Sequence, residues 1–247
     1  MPTAKAAPKS KPKSKVAAAG PSKRPASAAR KPPRKAAVRR GEPVDLVRRH
    51  PTCFQATRTP VIIRLKPLNY LTLEGRGAPE SREFQDAIGA LFGVAYALKF
   101  AQQAAGHDFK VPPFEALWWS GYDLARLEDP RALWRVPRQT WCWKVLLLLP
   151  DFVTSEDVRS ARQALSDKRG GEPLPLCVRL ERIDEGKCVQ MLHVGPYATE
   201  PESVRKMQAL IKEQGLTPCG LHHEIYLGDP HRTPPARLRT ILRQSVR

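Results

Sequence analysis

The chain of 247 residues lacks acid where it is richest in base. Residues 1–41 hold 13 Lys or Arg and no Asp or Glu, leaving 29 basic against 24 acidic residues for the remainder. The formal net charge of +18 therefore belongs mainly to the N-terminal tail. Cysteine is sparse. The five (Cys53, Cys142, Cys177, Cys188 and Cys219) include no C-x-x-C pair, which argues against a zinc site and for free thiols in a reducing cytoplasm. Long apolar runs are missing too. Runs such as Val145–Leu149 fall far short of a bilayer span, and the N-terminus has no apolar core of a secretory signal. A soluble cytoplasmic protein without a membrane partner is expected. The chain also has no G-x-S-x-G elbow, no Walker loop and no dinucleotide glycine fingerprint after a strand.

Two compositions are present instead. Residues 1–43, built from Ala, Lys, Pro, Arg and Ser, bury too little apolar area to offset their ordering entropy, so a disordered basic tail is expected. Its composition is similar to the basic tails of linker histones and of some bacterial nucleoid proteins. Loose, salt-sensitive contact with DNA phosphates is the functional expectation, and a solubilising extension the plain one. Residues 44–247 form the folded domain.

In that domain, apolar and β-branched clusters predict strands at 61–65 and 68–73. Spacings of three and four from Phe84 to Leu98 predict a helix over 80–103. Strands at 114–119 and 141–149 follow, then a helix opened by Thr154 and Asp157. Strands at 176–183 and 188–194 are expected to form a hairpin around Asp184-Glu-Gly186. A Thr199…Glu202 capping box predicts a helix over 201–214. A strand at 219–227 and a last element at 238–244, strand or short helix, complete the chain.

These elements repeat. Strand, glycine, helix, strand, strand occurs twice, with Gly75 and Gly195 in matching places and Glu115 and Glu224 inside the strand after each helix. The expected fold is α+β: duplicated βαββ modules, an antiparallel sheet with helices on one face and a groove on the other. Within Cys219–Leu227, alternation puts His222, Glu224 and Tyr226 on one face, and His223, Ile225 and Leu227 on the other. Either this is a half-solvated strand or its polar face lines a site. Adjacent histidines on a strand diverge, so no metal site is expected.

Gly-Leu-His-His-Glu-Ile-Tyr-Leu227, Val-Gln-Met-Leu-His-Val-Gly-Pro-Tyr197 and Phe-Glu-Ala-Leu-Trp-Trp119 together resemble the GyrI-like small-molecule-binding family. So do Leu-Lys-Phe100, Pro-Asp-Phe-Val153 and Thr-Ile-Leu-Arg243, and the likeness spans roughly residues 60–246. That family includes the drug-binding domains of multidrug-responsive regulators, a gyrase-inhibitory protein, and stand-alone hydrolases of cyclopropane-bearing DNA-alkylating compounds. The resemblance implies a ligand groove for hydrophobic, aromatic or cationic molecules, centred on Glu224, with Tyr226 and Trp118 or Trp119 as its aromatics. Glu224 would serve as general base on water and Tyr226 or a histidine as donor to a developing oxyanion, with no cofactor. Glu115, His222 and Tyr122 are further ligand-binding candidates. Trp141 and Trp143 are expected to pack. The alternatives are a ligand sensor or scavenger without chemistry, and a DNA-associated protein acting through its tail.

Overall fold

The computed structural model describes residues 42–120 and 135–247. Residues 1–41 of the expected tail, and Tyr122, lie outside the described residues. Strands β1 (Val61–Arg64), β2 (Leu68–Arg76), β3 (Phe114–Ser120) and β4 (Trp141–Leu148) belong to the first half. The second contributes β5 (Arg179–Ile183), β6 (Lys187–Val194), β7 (Pro218–Tyr226) and β8 (Arg239–Val246). The helices are α1 (Leu46–Arg49), α2 (Pro51–Phe54), α3 (Arg82–Ala104), α4 (Ser155–Lys168) and α5 (Glu200–Glu213).

The α+β class and the repeat are as expected. All strands join one antiparallel sheet in the order β1-β6-β8-β7-β3-β4-β2-β5. Its midline is the β3–β7 pair, where the two halves meet. Each half donates its first strand to the other: β1 pairs with β6, and β5 with β2. The final element is a strand, paired with both β6 and β7.

Several local expectations are corrected. The 176–183 strand shortens to β5 because Pro173 and Pro175 hold residues 174–177 in a 3-10 turn. Asp184-Glu-Gly186 is a short link and not a hairpin turn: β5 and β6 do not pair, and they lie toward opposite edges of the sheet. Thr199 does not cap α5; its hydroxyl donates to the Pro196 carbonyl at 2.8 Å. The Thr154–Asp157 capping box of α4 does form.

The connections determine the sheet's shape. Residues 65–67 link β1 to β2, and 184–186 link β5 to β6, across almost the whole strand order. Four Cα–Cα steps reach at most about 14 Å, so the sheet must curl until its edges approach. The concave side is packed by Leu117, Leu146, Leu148, Ile225 and Ile241, and closed by Leu46, Cys53 and Phe54 of the α1–α2 segment. This overturns the expected placement of the groove on the face away from the helices, because the curl leaves no room there. α3 and α4 cover one half of the convex side and α5 the other. The space between them is the open one. No helix among the described residues is long and apolar enough to cross a membrane.

Gly75 shows how tightly α3 and the sheet are joined. It pairs with Trp143, whose ring lies over it, and a Cβ there would sit 2.1 Å from Trp143 Cη2. Trp143 in turn packs edge-on against Phe84 of α3, 5.2 Å between centroids. Gly75→Ala is expected to cost about 1–3 kcal/mol through overpacking, read as a lowered denaturant midpoint. A midpoint equal to wild type would show that the indole moves aside freely.

Candidate functional site

The cleft between α3 and the start of α5 is a cavity of ≈ 1120 Å³. Its floor is the midline of the sheet, where antiparallel register sets Phe114 opposite Tyr226, Ala116 opposite Glu224 and Trp118 opposite His222. Paired residues share a face, so Phe114, Trp118, His222, Glu224 and Tyr226 lie together on the convex side. Phe84, Ile88 and Phe92 of α3 form one wall, and Pro196, Tyr197 and Glu200 the other. Arg138, Trp141 and His231 contribute to the rim.

The floor carries a directed hydrogen-bond chain. The Trp118 indole N–H donates to the Tyr226 hydroxyl at 3.0 Å, and that hydroxyl donates to Glu224 Oε2 at 2.6 Å. His222 Nε2 lies 3.3 Å from Glu224 Oε1. Burial, and then the Glu224 charge, push the Tyr226 phenol well above its ordinary range, so it stays a donor. Tyr226 stacks on Phe114 at 5.3 Å and meets the edge of Tyr197 at 6.0 Å. Trp118 packs against Phe84 at 5.0 Å and against Trp141 at 5.7 Å. The result is an aromatic-lined cavity with acidic groups at its base.

Of the residues that sequence reasoning groups together, Glu224, Tyr226 and Trp118 line the cavity, and His222 shares their face beside Glu224. Trp119 and Glu115 are corrected: both point to the other side of the sheet. Trp119 follows from alternation. Glu115 fails because the repeat is offset by one residue, so that Ala116, not Glu115, lies opposite Glu224. Glu115 is instead fully buried on the concave side, 3.0 Å from His223 Nε2. His223 Nδ1 is 2.8 Å from Glu185, and Glu185 accepts from Arg243 Nη1 at 2.7 Å. Arg243 also donates to Gln190 and to the Cys53 carbonyl, so the network pins α2 to the sheet. It is structural machinery directly behind the site.

Two groove residues were missed. Trp141 was read as packing only, yet it also reaches the rim, with Arg138 over its ring at 5.5 Å. Glu200 lies just before the helix expected over 201–214 and is not among the expected site residues. It is 3% exposed, its Oε1 has no partner among the described residues, and it lines the cavity. Burial first, and the Glu224 charge second, raise its carboxyl well above the usual range. A carboxylate two residues beyond a Gly-Pro-Tyr-Ala turn that enters the cavity was the available signal. No group of three or more His, Cys, Asp or Glu among the described residues is placed to hold a metal ion.

The curled sheet, its exchanged end strands and a cavity over the midline define a small-molecule-binding protein built from two related halves. A model of the GyrI-like small-molecule-binding domain matches residues 153–243, the greater part of the second half. An uncharacterized conserved protein from Listeria innocua is 33% identical at a TM-score of 0.73. The alignment covers 83% of this chain and 100% of that one. A hydrolase from the same organism is 31% identical at a TM-score of 0.70, with the same coverage. The C-terminal domain of EcmrR, 9% identical at a TM-score of 0.50 over 76% of this chain and 97% of its own, shares the fold alone. No curated protein sequence matches. The chain belongs to the GyrI-like small-molecule-binding family.

Proposed function

We propose that the cavity binds flat, hydrophobic, cationic or electron-poor molecules, and that it hydrolyses those carrying an activated three-membered ring. The observation that supports this reading is the Trp118–Tyr226–Glu224 chain set in an aromatic enclosure. Ring faces attract cations by about 0.5–2 kcal/mol each, and the buried Glu224 carboxylate supplies the directional charge. A 31% identical neighbour is described as a hydrolase, which agrees with the chemical part.

For a cyclopropane conjugated to a carbonyl, Glu224 takes a proton from water as the water oxygen bonds to a ring carbon. The ring C–C bond breaks, its electron pair moves to the carbonyl oxygen, and Tyr226 turns its hydroxyl toward the oxyanion that forms. A proton then reaches that oxygen, giving an opened, hydroxylated product. The reaction is a net addition of water and needs no external oxidant or reductant.

Glu224→Gln tests both parts. Fluorescence of the groove tryptophans should show an aromatic cation binding about ten- to a hundredfold more weakly, the loss of one charge-assisted contact. Turnover of a cyclopropanoid, followed by chromatography, should disappear. A folded Glu224→Gln protein with wild-type affinity and turnover would remove Glu224 from the mechanism; ligand retained unchanged by wild type would leave binding without chemistry.

A further inference from the structure

The reading above uses one of the two buried carboxyl groups that line the groove and leaves Glu200 unused. Glu200 opens α5, where the helix N-terminus ordinarily favours an ionised carboxylate. Burial and the neighbouring Glu224 charge work against that preference and raise the Glu200 carboxyl well above the usual range. Its Oε1 is buried without a hydrogen-bond partner among the described residues. A buried acid that lines a cavity with one oxygen unpartnered is placed to meet a cation entering that cavity.

We propose that the groove is built for molecules carrying two cationic centres, one held by Glu224 and the other by Glu200, whose proton is expelled to solvent on binding. The inference rests on the cation-binding reading of the cavity. A second positive centre beside a neutral Glu200 would be buried without a counter-charge, which is strongly unfavourable. Beside an ionised Glu200 it forms a pair, and the Tyr226 and Tyr197 rings, 6.0 Å apart, line the same cavity as the two carboxylates. A molecule with one cationic centre satisfies Glu224 and leaves Glu200 protonated. The titratable groups facing Glu200 are Glu224 and Tyr226 from β7 and Tyr197 from the turn before α5; Asp229 and His231 line the cavity from the loop after β7. α3 contributes Gln85 and apolar side chains to the cavity. Both tyrosines are held above their ordinary range, so neither ionises near neutrality.

The test is calorimetric titration of the full chain at about pH 7, in two buffers of different protonation enthalpy. Benzyltrimethylammonium and p-xylylene-bis(trimethylammonium) share one ring, differ by one charge and carry no titratable proton. The dication should release about one proton and bind about tenfold more tightly per pH unit as pH rises, while the monocation releases none. Glu200→Gln, with an unchanged circular dichroism spectrum, should abolish the release and weaken the dication at least tenfold. Dication binding without proton release in wild type, or release that survives in Glu200→Gln, overturns the proposal, as does refusal of the dication while the monocation binds. If neither probe binds, the cation-binding reading fails and the proposal falls with it.

Discussion

Replacing Arg243 with Ala is expected to lower the unfolding free energy by about 3–5 kcal/mol, because it strands buried carboxylates that cannot reach water. Arg243 is fully buried on β8, and every hydrogen-bonding edge of its guanidinium is used: Nε to Gln190 at 2.8 Å, Nη1 to Glu185 at 2.7 Å, Nη2 to the Cys53 carbonyl at 2.8 Å. Glu115, Glu185, protonated His223 and Arg243 together carry two negative and two positive charges. Removing Arg243 leaves a net negative set in a dry interior and loosens α2, which loses its bond at the Cys53 carbonyl and keeps only a Gln190 whose Oε1 no longer has its partner. Thermal unfolding should fall by on the order of 10 °C. Arg243→Met combined with Glu185→Leu should lose less than the single change, since both members of that pair then leave together. A single variant within about 1 kcal/mol of wild type, or a double variant worse than the single, would show that the network is not what closes the concave side.

The second expectation concerns pH. His223 sits between two carboxylates, and despite complete burial the Glu185 charge, the Glu115 carboxylate 3.0 Å from Nε2 and the hydrogen bond to Glu185 raise its pKa from 6.5 to about 9. Glu185 moves the other way, from 4.5 to about 2, under His223 and Arg243. These are two sides of one interaction and are not additive. A raised histidine stabilises most below its unfolded value, so its contribution of about 3 kcal/mol is full below 6.5 and is lost as pH rises to about 9. A depressed carboxylate works in reverse: the Glu185 contribution is full above 4.5 and lost as pH falls to about 2. Denaturant unfolding at intervals between pH 6 and 10 should show stability falling across that alkaline window, with the slope absent in His223→Gln. An unchanged slope in that variant would assign the alkaline loss to other groups.

What the sequence made legible, and what it hid, follows from the range over which each rule acts. Alternation along a strand is local, so the shared face of His222, Glu224 and Tyr226 could be read before any partner strand was known. Choosing between Trp118 and Trp119 needed the β3–β7 register, which pattern alone does not supply. Glu115 was misplaced by the same gap: the two halves repeat in outline, but a slip of one residue turns a side chain to the other face. The four-residue helices α1 and α2 are too short for periodicity to show. Glu200 lies just before the expected helix, and only the cavity beside it reveals its state. The curl of the sheet was hidden because three-residue links are informative only once the strand order is known. The tail's DNA expectation concerns residues outside those described.

The exchanged end strands bear on how such a chain comes to exist as one cooperative object. A duplicated module would ordinarily be expected to behave as two units, each able to stand alone. Here β1 completes the sheet of the half that follows it, and β5 returns to complete the half before it. Each half is therefore unfinished without a ribbon borrowed from the other, and these pairings join residues more than a hundred positions apart in the sequence. High contact order of this kind slows folding. The cavity lies on the seam between the halves, so its floor is complete only when both have closed on each other.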